Sequence, residues 1–178
     1  MQAIIHRRKI MREEIKGRVW KFGDDINTDV IFPGKYTYTV TDATEMAKHA
    51  LEDALPDFAK EVRQDDIIVA GKNFGCGSSR EQAALCLKAA GVGAVVAKSF
   101  SRIYYRNAIN LGLPIVVCPQ LSDIVEQGDE VTINFTRGVI AFKGVEYGFP
   151  ALNKDVAMIL DAGGLIPWVR AKIAGEKQ

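Results

Sequence analysis

The chain has 178 residues, 48% of them apolar, with 23 Lys and Arg against 22 Asp and Glu and a net charge of +1. That length suits one domain with its own core, and the balanced charge argues against a broad field that would draw nucleic acid or an anionic membrane surface. Three cysteines, Cys76, Cys86 and Cys118, are odd in number and lack CxxC spacing, which disfavours a disulfide framework or a zinc site and points to reduced thiols in the cytoplasm.

No apolar run approaches the ~20 residues that cross a bilayer, and Met1-Gln2-Ala3-Ile4-Ile5-His6-Arg7-Arg8-Lys9 lacks the apolar core and cleavage site of a signal peptide. Mixed charges continue to Lys16, and the strand-like Gly17-Arg18-Val19-Trp20-Lys21-Phe22 follows. Residues 1–16 are therefore expected to be an N-terminal extension, with disorder an open option for it, and residues 17–178 a single domain. Met11 is a candidate natural start.

Next comes the polar turn cluster Gly23-Asp24-Asp25-Ile26-Asn27-Thr28-Asp29, then Val30-Ile31-Phe32, expected as a short strand, and Pro33-Gly34. Residues 35–42, rich in Tyr and Thr, are expected to form an exposed extended loop, and residues 43–55 a helix closed by Pro56. A buried strand over residues 65–71 delivers the chain into Asn73-Phe74-Gly75-Cys76-Gly77-Ser78-Ser79-Arg80-Glu81. Ala83, Ala84, Leu87 and Ala90 then recur at helical spacing up to Gly91. Strand 93–97, helix 102–110 stopped by Gly112, and strand 114–118 continue an alternation that predicts parallel strands with covering helices. Residues 129–135, 139–142 and 145–149 have hairpin spacing and predict antiparallel pairing. A helix over 152–162 ends at Gly163-Gly164, and the polar tail 175–178 is expected to fray.

The glycine-rich stretch carries the chemistry. Glycines permit a tight loop, and a helix start leaves N–H groups unpaired, so hydroxyls, N–H groups and a guanidinium can converge on one small anion. Ser78 with Glu81, or Ser79 with Gln82, also fits a capping box, the plain structural role for such a turn. A serine hydroxyl serves as a base only if its alkoxide is stabilised, which a helix N-terminus and Arg80 would both do. Arg80 also matches a carboxylate bidentately. Neither GxxxxGK[ST] nor GxGxxG is present, so a nucleotide is the weaker ligand.

These nine residues, the 23–29 cluster, and Lys98-Ser99-Phe100-Ser101-Arg102-Ile103-Tyr104-Tyr105-Arg106-Asn107-Ala108-Ile109-Asn110-Leu111-Gly112-Leu113-Pro114 together resemble the small subunit of 3-isopropylmalate dehydratase, in the aconitase superfamily. The resemblance runs from about Gly17 to the C-terminus. It implies an α/β fold, a three-layer β/β/α swivelling domain like the aconitase C-terminal domain, with a mixed sheet whose C-terminal part is antiparallel. It implies an iron–sulfur large subunit as partner, carrying a [4Fe–4S] cluster on its own cysteines, with no cofactor or metal held by this chain. By motif position, Ser78 resembles the base that moves the proton next to a substrate carboxylate. Ser79 and Arg80 resemble carboxylate-binding residues, and Asp29 the aspartate that supports the site.

The loop after Pro33-Gly34 resembles the segment that sets substrate choice, so Tyr36, Thr37, Tyr38 and Thr39 are expected to face substrate. It contains no arginine, and an unpaired carboxylate in a closed site is costly, which disfavours a homoaconitate-type tricarboxylate. Thr37 and Tyr38 stand where aliphatic residues are usual, which keeps another alkyl-substituted malate, such as 2,3-dimethylmalate, open beside isopropylmalate in leucine biosynthesis. A small-anion binding module without chemistry is the non-enzyme alternative, an RNA-binding role is disfavoured by the balanced charge, and a homodimer of the isolated chain stays open. His6, His49, Trp20 and Trp168 are expected to be structural, while Arg102, Arg106, Asn107 and Asn110 suit helix packing, bracing of the site or contact with a large subunit.

Overall fold

The structure is a computed structural model and describes residues 13–175. Strand β1 (Glu14–Lys21) begins three residues before the expected boundary at Gly17. Its first residues are held by a strand from the far end of the chain, which no local pattern could announce. Residues 1–12, including His6 and Met11, lie outside the described residues, as do residues 176–178 of the tail.

Residues 30–32 do not form the expected strand: Thr28–Ile31 is a short helix, α1. Asn27 caps it by accepting the Val30 N–H at 2.9 Å, and this cap overrides the β-preference of Val30 and Ile31. A 3₁₀ turn, Gly34–Tyr36, replaces an extended path for the start of the next loop. Helix α2 (Ala43–Ala47), capped by Asp42, is shorter than the expected 43–55. The remainder coils into turns, with Leu51 buried at φ +56°, a conformation that interrupts a helix. Helix α3 (Phe58–Glu61) follows Pro56 and buries Phe58.

The middle of the chain alternates as its sequence predicts: β2 (Ile67–Ala70), α4 (Gln82–Ala89), β3 (Ala94–Ala97), α5 (Arg102–Leu111) and β4 (Ile115–Val117). Ser101 caps α5, and Gly112, at φ +78°, ends it in the left-handed conformation that glycine tolerates. Helix α6 (Pro119–Ile124), with Pro119 at its first position, was not foreseen. Lys21 Nζ reaches across to the carbonyls of Ser122 and Val125 near its end. Strands β5 (Glu130–Asn134), β6 (Val139–Phe142) and β7 (Val145–Gly148) come next, then α7 (Lys154–Asp161) and α8 (Leu165–Gly175).

One seven-stranded sheet runs in the order β4-β3-β2-β1-β5-β6-β7. Strand β1 joins its two halves. It pairs in parallel with β2, Val19 opposite Ile67, and antiparallel with β5, Glu14 opposite Asn134 through Arg18 opposite Glu130. Alternate residues point to opposite faces, and two cores result. Trp20, Ile68, Ala70, Val95 and Ala97 face the helical layer with Ala84, Leu87, Tyr104 and Ala108. Val19, Ile67, Val69, Ala94 and Val96 pack instead against Val131, Ile133, Ile140 and Phe142 of the antiparallel half. Two sheet layers and one helical layer result, the expected β/β/α architecture.

Between β1 and β2 sits a buried acid. Asp66, 3% exposed, accepts from Trp20 Nε1 at 2.7 Å, Arg18 Nη2 at 3.0 Å and the Arg63 N–H at 3.0 Å. A carboxylate so surrounded has its desolvation offset by three donors.

Candidate active site

The glycine-rich loop leaves the C-terminal end of β2 and is held on both sides by backbone. Gly75 N–H donates to Ile26 O at 2.7 Å and Thr28 N–H to Cys76 O at 2.8 Å; on the other side Phe74 N–H donates to Ser99 O and Ser101 N–H to Phe74 O. Asn73, at φ +57°, adds an Nδ2 bond to Asp25 Oδ1 at 2.8 Å. Gly75 lies against the Tyr104 ring at φ +77°, and a Cβ there would fall 2.1 Å from Tyr104 Cγ. Only glycine allows that approach.

This clamping brings three distant segments together around Ser78. Its Oγ lies 2.9 Å from Thr28 Oγ1 and accepts from Arg80 Nε at 2.8 Å. The Ser78 N–H donates to Thr28 Oγ1 at 3.0 Å. Arg80 Nη1 donates to Thr37 Oγ1 at 2.8 Å, and Nη2 pairs with Asp29 Oδ1. Three of the five guanidinium N–H groups are thus engaged, which leaves one on each terminal nitrogen for a further acceptor. Asn107, 8% exposed, donates from Nδ2 to Ser79 O at 3.0 Å and braces the loop from α5.

Helix α4 starts at Gln82 with Glu81 at its N-cap position and no side-chain capping bond. Neither Ser78 nor Ser79 fills the capping role. Arg80 and Thr28 are the side chains that meet the Ser78 oxygen.

Among the other expected residues, Thr37 joins the network through Arg80. Tyr36 turns inward, its ring stacked on His49 with centroids 3.8 Å apart. Tyr38, 93% exposed, and exposed Thr39 stand outside it. His49 also meets Glu52 at 2.7 Å and Lys35 pairs with the same carboxylate. Burial pushes Glu52 up, but the hydrogen bonds from Lys35, then His49 and Tyr36, outweigh it and hold the carboxyl below its ordinary value. Thr28, 1% exposed, joins the network through Ser78 and was not among the expected site residues. Its only local sign is its place between Asn27 and Asp29.

The three thiols do not converge. Cys76 is half-buried in the loop, Cys86 lies in the helical core and Cys118 in the opposite one. Burial pushes the Cys86 and Cys118 thiols up, away from the reactive thiolate. Among the described residues, no group of three or more His, Cys, Asp or Glu is placed to hold a metal ion. No described helix is long and apolar enough to cross a membrane.

A cavity of about 580 Å³ lies on another side of α5, lined by Arg102, Tyr105, Arg106, Ile109 and Asn110 among others. It contains none of the Ser78 network. Within that network Ser78 and Asp29 are exposed.

The aconitase C-terminal domain profile matches residues 2–120. The 3-isopropylmalate dehydratase small subunit of Heliobacterium modesticaldum is 53% identical over 166 residues, 92% of this chain and 99% of the relative. That of Aquifex aeolicus is 50% identical, over 93% of this chain and all of its own length (100%). A crystal structure of 3-isopropylmalate dehydratase from Methanocaldococcus jannaschii superposes with a TM-score of 0.85 at 43% identity, covering 93% of this chain and 99% of that one.

Proposed function

The chain belongs to the 3-isopropylmalate dehydratase small-subunit family, built on the aconitase C-terminal domain, and from that premise we propose that it works as half of a heteromeric hydro-lyase. With an iron–sulfur large subunit it interconverts 2-isopropylmalate and 3-isopropylmalate, as in leucine biosynthesis, by removing and returning water. The observation that carries this reading is the Arg80 fork, one guanidinium joined to the Ser78 oxygen on one side and to Asp29 on the other.

Ser78, as alkoxide, takes the proton from the carbon beside a substrate carboxylate. The C–H electron pair becomes the second bond of an alkene while the C–O bond to the neighbouring carbon breaks and hydroxide leaves with its pair. Readdition in the opposite sense places the hydroxyl on the adjacent carbon. A cluster on the large subunit would supply Lewis-acid help to the departing hydroxyl. Arg80 offers its two remaining terminal N–H groups to the carboxylate, with Ser79 beside it. Asp29 keeps the guanidinium in plane, and the Nε–H opposes charge on the Ser78 oxygen. The loop bearing Thr37 and Tyr38 is the part that reads the alkyl substituent.

Reconstitution with the large subunit and its cluster tests the proposal. Wild type should interconvert the two isopropylmalates and Ser78→Ala should lose about 10²–10⁴-fold in kcat, the usual share of a general base. Equal activity in the two would remove Ser78 from its role, and carboxylate binding by the isolated chain without any turnover in the complex would favour a small-anion binding module.

A further inference from the structure

We infer that Thr28 is a positioning residue for Ser78: its buried hydroxyl donates to the Ser78 oxygen and thereby leaves the proton-accepting direction of that oxygen facing substrate. The inference rests on the proposed role of Ser78 and adds the group that orients it.

The donor direction follows from counting. A threonine oxygen has one proton and two lone pairs. One lone pair of Thr28 Oγ1 is taken by the Ser78 N–H at 3.0 Å. If the Ser78 hydroxyl donated to the other, the Thr28 proton would need a third acceptor. Among the described residues Thr28 Oγ1 bonds only the Ser78 N–H and Oγ, and with Thr28 1% exposed, water does not supply one. A buried hydroxyl proton left unpaired is unfavourable. With Thr28 as donor, every group is satisfied, and the Ser78 proton is left on the exposed side of the loop.

Two donors then converge on Ser78 Oγ, the Thr28 hydroxyl at 2.9 Å and Arg80 Nε at 2.8 Å. An alkoxide oxygen has three lone pairs. Two point at these donors, and the third points at the open face where a substrate carbon would sit. The Ser78 N–H bond fixes the backbone from which Oγ swings, so the same threonine sets both the position of the atom and its free direction. Burial of Thr28 follows from its place at the first position of α1, with its N–H on Cys76 O and its carbonyl accepting from Phe32.

The test uses the reconstituted complex and the isolated subunit. Thr28→Val keeps the shape and removes the hydroxyl; it should lower kcat about 10²-fold, the loss typical of one oxyanion donor, with KM within about twofold. Thr28→Ser keeps the hydroxyl and should stay near wild type. In the isolated subunit the Thr28 hydroxyl proton should exchange slowly enough for NMR detection and show a cross-peak to the Ser78 Hβ protons. Wild-type kcat in Thr28→Val, or a loss in Thr28→Ser as large as in Thr28→Val, would overturn the assignment, as would a Thr28 hydroxyl proton exchanging at the rate of exposed hydroxyls. Activity retained by Ser78→Ala would instead remove the reading on which the inference rests.

Discussion

Thr37 Oγ1 accepts a hydrogen bond from Arg80 Nη1 at 2.8 Å, so the loop expected to choose the substrate and the guanidinium expected to clamp it are one mechanical unit. The hydroxyl of Thr37 is spent on the clamp. Thr37→Val removes an acceptor from a charged donor, a bond of about 1.5–3 kcal/mol when fully formed and less where solvent competes. We expect kcat/KM in the reconstituted enzyme to fall about 5–10-fold with the Tm of the isolated subunit nearly unchanged, as steady-state kinetics and thermal melting would show.

Tyr38 is the large side chain of that loop left facing outward, 93% exposed. Tyr38→Val should therefore change stability by no more than about 0.5 kcal/mol. It should also raise the kcat/KM ratio of 2-isopropylmalate to 2,3-dimethylmalate about tenfold, since a smaller side chain leaves room for the branched alkyl group. A competition assay with both substrates reads the ratio directly.

Gly75→Ala should unfold the loop from its support. The residue would carry a Cβ at φ +77° and 2.1 Å from Tyr104 Cγ, and Tyr104 is itself buried at 1% exposure. Backbone strain and overpacking together cost about 3 kcal/mol, a fall of about 6–12 °C in Tm for a chain of this size. Calorimetry of the isolated subunit checks it without any partner.

Glu52→Gln tests the cluster beneath the specificity loop. The carboxyl is held below its ordinary value of 4.5 by Lys35, His49 and Tyr36, whose hydrogen bonds outweigh burial. A depressed carboxyl stabilises the fold above its unfolded value and loses that contribution as pH falls through the folded one. Wild type should thus exceed Glu52→Gln by about 0.5–1 kcal/mol near pH 7, with the gap closing as pH drops below 4.5 toward the folded value. Urea titrations at several pH values measure the difference.

Where structure is written locally, the sequence was legible. Ser101 and Gly112 bound α5, the alanines of α4 mark its buried face, and the turn residues between β5, β6 and β7 mark the hairpins. Residues 28–31 misled because Val30 and Ile31 favour strands, while the Asn27 cap that makes them helical costs one side chain and leaves no periodic trace. The helix expected over 43–55 stops at Ala47, and Leu51, at φ +56°, lies in the turns that replace its second half. In the site, Ser78, Arg80 and Asp29 were visible as residue types. Thr28 was not, because its role exists only when positions 28 and 78 meet across a backbone bridge, and nothing about a threonine beside an aspartate says which way it will turn.

Strand β1 has a consequence for how the chain is made. Its second edge closes on β5, about 120 residues later at the Glu14–Asn134 end. At 5–20 residues per second, synthesis leaves that edge uncovered for roughly 6–24 s. Pairings so distant in sequence also close slowly. An unpaired strand edge is a template for another chain, so the nascent subunit passes through an interval in which the ribosome has delivered a parallel half-sheet with one edge of β1 bare. Conditions that slow elongation over residues 70–134 should lengthen that interval and raise the aggregated fraction, and a chaperone that binds extended apolar segments should act before β5 emerges.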